Sequence, residues 1–108
     1  MIVPDNWVII SFTLDDGTNV SKILATWNSG YLESGSWRTS SGITNISVTD
    51  HLVNITNESG SIYGCSTNNM RVGKEGLHVI GILKKECKNV NIVDSKDKLE
   101  SFIKENNF

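Results

Sequence analysis

Trp7-Val8-Ile9-Ile10-Ser11-Phe12-Thr13-Leu14, followed at once by Asp15-Asp16-Gly17-Thr18, is the stretch that decides the fold class. β-Branched and aromatic side chains dominate it. Val8, Ile10, Phe12 and Leu14 alternate with Trp7, Ile9, Ser11 and Thr13, which predicts a strand with one apolar face and one mixed face. The Asp-Gly pair then supplies the backbone position with φ > 0 that a hairpin turn needs. A return strand is expected over 20–27. Val20, Ile23, Leu24 and Trp27 also fit a helical face, and the turn ahead of them decides for strand.

Working outward, residues 28–42 (NSGYLESGSWRTSSG) mix glycine and serine with Tyr31, Leu32, Trp37 and Arg38. Glycine and serine weaken a helix, so an ordered loop with a short strand around Trp37 is expected. Strands are predicted over 43–49 and 52–56, joined by Asp50-His51, and over 61–65 after the Asn57-Glu58-Ser59-Gly60 turn. Residues 66–76 read as a polar loop. Leu77, Ile80, Leu83 and Cys87 then recur at helical spacing and predict a helix over 76–89. Residues 90–93 form a short strand. Asp94 or Ser95 caps a last helix, with Leu99, Phe102 and Ile103 as its apolar stripe and a frayed tail over 105–107. The expected fold is α+β: a small antiparallel β-sheet or barrel-like meander, with one or two helices in the C-terminal third.

The chain has 108 residues and a formal net charge of −2, which suits a single domain spanning 1–108. No apolar run is long enough to span a membrane. The N-terminus lacks a basic region followed by an apolar core, so no secretory signal is expected. The acidic balance disfavours nucleic-acid coating, which draws on clustered Lys and Arg. Cys65 and Cys87 fit two reduced thiols better than a disulfide framework, and with His51 and His78 they match no zinc spacing.

The catalytic signals are thin. No nucleophile elbow is present. Asp15-Asp16 suits a turn better than acid–base work. Asp50-His51 falls between strands, where neighbouring side chains face opposite ways. Val72-Gly73-Lys74 has only the Gly-Lys of a phosphate loop. Lys84, Lys85 and Lys88 read as a solvated helix face. No catalytic residue, metal or cofactor is therefore selected.

The aromatic segment is more informative. Trp27, Tyr31, Trp37 and Tyr63 can stack on a base, and Arg38 can clamp phosphate with its bidentate fork. Ser36 and Ser41 can donate hydroxyls, and nearby glycine amides can complete an anion nest. The competing reading makes Trp27 and Trp37 core residues, with Arg38 at the edge.

Val3-Pro4-Asp5-Asn6-Trp7-Val8, Trp27-Asn28-Ser29-Gly30-Tyr31-Leu32, Gly35-Ser36-Trp37-Arg38, Ser41-Gly42-Ile43 and Ser59-Gly60-Ser61-Ile62-Tyr63-Gly64-Cys65 together carry a likeness. The chain resembles a family of small uncharacterised proteins of T-even-like tailed bacteriophages over roughly its first two thirds. Ser66 stands where that family's pattern has a His, so no role that needs the His carries over. The resemblance implies an accessory role against host immunity, in the host cytoplasm. One physical route is a sponge: a homo-oligomer that sequesters a nucleotide-derived immune messenger in a shared pocket without cleaving it. The alternatives are a module that inhibits a host protein directly, and a small hydrolase or nuclease.

Overall fold

A computed structural model describes residues 1–28 and 36–108. Tyr31, one of the expected ligand contacts, lies outside the described residues. The element order is β1 (Asn6–Thr13), β2 (Asn19–Trp27), β3 (Ser36–Thr39), β4 (Ile43–Thr49), β5 (Leu52–Asn57), β6 (Ile62–Ser66), α1 (Lys74–Glu86), β7 (Lys88–Val93) and α2 (Lys96–Asn106). The fold is α+β, with both helices in the C-terminal third. Its strands form two antiparallel sheets, one ordered β3-β2-β1-β7 and one ordered β4-β5-β6. The second is the predicted meander; the first draws β7 in from the far end of the chain. Among the described residues no helix is long and apolar enough to cross a membrane.

The β1–β2 hairpin forms where the turn chemistry places it. Leu14 and Thr18 close the turn with a 2.9 Å backbone bond, and Gly17 takes φ 89°. Asp16 accepts the Thr18 backbone N–H at 2.9 Å. Hydrogen bonding from the Thr18 side chain, and then from its backbone, holds the Asp16 carboxyl below its usual range. This settles Asp16 in a turn role. Leu14 ends outside the strand, exposed.

β1 is buried on both faces, because it lies in the middle of the four-stranded sheet with a layer on either side. Val8, Ile10 and Phe12 pack with Leu24 of β2 and Val79 and Ile80 of α1. On the other face Trp7, Ile9, Ile23 and Ala25 join Val53, Ile55 and Tyr63 of the small sheet, with Leu99 and Phe102 of α2. The Trp7 indole N–H donates to the Ser66 carbonyl at 2.7 Å and ties the two sheets together.

Three expectations for the second half need correction. The loop at 66–76 carries a short 3₁₀ turn and the buried Met70, which bridges to Trp7. In α1 the buried face is Gly76, Val79 and Ile80, and Leu77 is 62% exposed. The register of Leu77, Ile80 and Leu83 fits a helix as well as that of Gly76, Val79, Ile80 and Leu83, and packing on β2 selects the second. The tail is closed rather than frayed. Asn107 takes φ 58° and its N–H reaches the Ile103 carbonyl, a left-handed cap. Phe108 folds back to 5.8 Å from the Phe102 ring.

Candidate ligand-binding site

The β2–β3 pairing sorts the expected ligand contacts by face. Trp27 lies opposite Ser36 and Ala25 opposite Arg38, while Thr26 lies opposite Trp37. Directly paired residues share a face and neighbours along a strand do not. Trp27, Ser36 and Arg38 therefore sit on the side of the small sheet, and Trp37 sits on the side of α1.

On the first side, Trp27 is partly buried against the inner core and its indole N–H donates to the Val3 carbonyl at 2.9 Å. Ser36 and Arg38 are exposed. Tyr63, from β6, is 1% exposed, and its hydroxyl has no hydrogen-bond partner among the described residues. Burial pushes the Tyr63 phenol above its ordinary value, and the Arg38 guanidinium works against that shift. Arg38 thus acts electrostatically on a buried hydroxyl left without a partner. An orphaned buried polar group costs free energy unless something satisfies it.

Two expected members do not join this group. Trp37 is about half exposed (48%) on the opposite face. It is neither core nor on the side of Tyr63, because alternation along β3 separates it from Arg38. Ser41 lies past the end of β3 and is engaged elsewhere: its hydroxyl donates to Ser59 Oγ at 3.1 Å and accepts the Ser59 backbone N–H at 3.1 Å.

The other chemistry weighed from the sequence takes structural roles. Gly73 is the N-cap of α1, where a Cβ would overlap the Thr26 hydroxyl, so this glycine answers a close approach. Lys84 and Lys85 occupy the last turn of α1, favourable to the helix dipole, whereas Lys88, expected on the same helix face, begins β7. His51 Nδ1 lies 3.2 Å from Thr67 Oγ1, beside Asp50 in a left-handed turn (φ 55°). Cys65 is buried and Cys87 half-buried, both unpaired. Among the described residues no cluster of three or more His, Cys, Asp or Glu could hold a metal ion.

Two concave features escaped sequence reasoning. An apolar groove of about 400 Å³ runs past Met1, Val3, Pro4, Leu52 and Gly64. A polar cleft of about 310 Å³ opens between the ends of β1, β2 and β7 and the second half of α2. The cleft had a sequence signal: Trp7 and Ile9 share their face of β1 with Ser11 and Thr13, so that face changes from apolar to polar half-way along. Comparison of the chain with known protein families, curated proteins and solved structures returns no match.

Proposed function

We propose that this chain is a non-enzymatic binding protein that sequesters a nucleotide-derived signalling molecule, as a phage counter to host immunity acting in the host cytoplasm. The observation that carries the reading is the Tyr63 hydroxyl, buried without a partner among the described residues and within electrostatic reach of Arg38, on the side that also presents Trp27 and Ser36. An Arg fork binds phosphate with geometric specificity, a phenol adds one donor, and an indole edge offers a flat apolar wall. Arg38 and Ser36 sit on β3, the outermost strand of the four-stranded sheet, with Tyr63 buried behind them in the core. A second copy packed across that edge would deepen the site, which supports a homo-oligomer.

The test is thermal melting of the purified chain against a panel of cyclic and linear nucleotides, followed by analysis of what heat releases. A ligand that binds only the folded state stabilises by mass action, about 2.7 kcal/mol at a hundredfold excess over Kd. The expected result is a large upward shift with one ligand, its release intact, and loss of the shift in Arg38→Ala. Release of altered ligand would make the protein an enzyme.

A specific observation favours a second reading, direct inhibition of a host protein. Val3 and Leu52 are each more than 60% exposed, and Leu52 lies with Ile62 on the outer face of the small sheet. Exposed apolar surface of this kind marks interaction sites. Loss of host-protein inhibition in Leu52→Lys, with no nucleotide shift in the parent chain, would decide for it.

A further inference from the structure

The polar cleft beside α2 is independent of the β3 edge, and its chemistry is different. Its wall is built from amides and hydroxyls, and Glu105 is its only charged residue among those described. A solvated sheet face ordinarily carries long charged side chains of both signs. With no cation among its described residues, the central cleft is poorly suited to phosphate. Amides and hydroxyls both donate and accept, so they match a ligand rich in hydroxyl groups.

Part of the wall is held in place before any ligand arrives. The β1–β7 register shifts between Ser11 and Thr13, and Asn89 beside the shift takes φ 54°. Such irregularities re-aim side chains and gather next to functional sites. Asn89 Nδ2 donates to Thr13 Oγ1 at 3.2 Å, and that hydroxyl donates to Asn19 Oδ1 at 2.9 Å. The chain of bonds fixes both amides and leaves Asn89 Oδ1 and Asn19 Nδ2 available. Ser11, Ser21 and Asn91 make no side-chain hydrogen bond among the described residues.

The cleft also continues in both directions. A neighbouring hollow of about 300 Å³ shares Asn91, Phe102 and Glu105 with it and adds Asp97 and Lys98, the latter paired with Asp94 at 2.9 Å. Another of about 510 Å³ shares Asn19, Ser21 and Asn106, reaches Phe108, and brings one charge of each sign, Lys22 and Glu58. Each is within or near the size range of small-molecule sites, about 300–1,000 Å³. Phe102 and Phe108 thus adjoin the groove, and Phe108, the less buried of the two, offers it apolar surface.

The geometry points to a binding groove for a short neutral oligosaccharide, running along α2 with Asn19, Asn89 and Asn91 as its central hydrogen-bonding residues. The test presents the full chain to immobilised gluco-, manno-, galacto- and N-acetylglucosamine oligomers of three to six units, and then titrates the best binder. Two variants probe the site. Asn91→Ala removes an exposed amide, and Asn89→Gly removes another while accepting the positive φ. Each is expected to weaken binding roughly three- to tenfold, the size of one hydrogen bond, with the fold retained by circular dichroism. Arg38→Ala is expected to leave oligosaccharide binding intact, which separates this groove from the nucleotide reading. The proposal is overturned if no oligomer binds, if binding ignores both variants, or if neutral peptides compete with the same sensitivity.

Discussion

Tyr63 and Cys65 stand two residues apart on β6, and both bring a titratable group into the core. Burial alone pushes the Cys65 thiol from its usual 9.0 up to about 12, and burial raises the Tyr63 phenol against the opposing pull of Arg38. Each group holds its proton more tightly folded than unfolded. Their contribution to stability is therefore complete below pH 9 and is lost as pH rises toward 12. Denaturant titrations from pH 8 to 11 should show stability falling above pH 9, with a slope of up to about 1.4 kcal/mol per pH unit from Cys65. Cys65→Ala should flatten that decline. Tyr63→Phe removes a hydroxyl that has no partner among the described residues, so the ligand-free protein should keep its stability or gain up to about 1 kcal/mol. The same change should weaken nucleotide capture, and melting with and without ligand reads both effects from one pair of curves.

At the level of elements, α1 packs on the four-stranded sheet through Val79 and Ile80, and its N-terminal end makes the closest approach. Gly73 lies against Thr26, itself 2% exposed, and Gly76 lies close to Leu24 and Val72. Gly73→Ala forces a methyl group into the Thr26 hydroxyl and should cost about 1–3 kcal/mol in chemical denaturation. Gly81→Ala, where nothing lies near, should stabilise by up to about 1 kcal/mol. The elements themselves were legible because their signals are local: the Asp-Gly turn, the alternation of β4 and β5, and Ser95 as the cap of α2, where its hydroxyl accepts the Lys98 N–H at 3.2 Å. The face of α1 was not legible, since two apolar registers differ by less than a turn. The candidate site was half legible. Residue types at β3 suggested a binding edge, but strand parity sends Trp37 one way and Arg38 the other. Of the polar groove only the β1 wall, Ser11 and Thr13, was legible; its β7 wall needed a pairing that leaves no trace in local sequence.

Across the whole molecule, Trp7 links the layers. It is fully buried, packs with residues of both sheets, and bonds to the Ser66 carbonyl. Trp7→Ala should cost about 3–5 kcal/mol. Trp7→Phe, which keeps most of the ring area but orphans that carbonyl, should cost about 1–3 kcal/mol. Far-UV circular dichroism and intrinsic fluorescence should lose signal at the same denaturant concentration in each variant, because one core serves both sheets. The position of β7 also has a consequence in time. β1 gains its first neighbour from the adjacent hairpin, but its other flank stays bare until roughly 75 further residues have been made. At about 5–20 residues per second a ribosome takes roughly 4–15 s to deliver them. Through that interval the most apolar strand of the chain presents open hydrogen-bonding groups to every other nascent chain nearby. The yield of folded protein is then expected to depend on translation speed as well as on final stability.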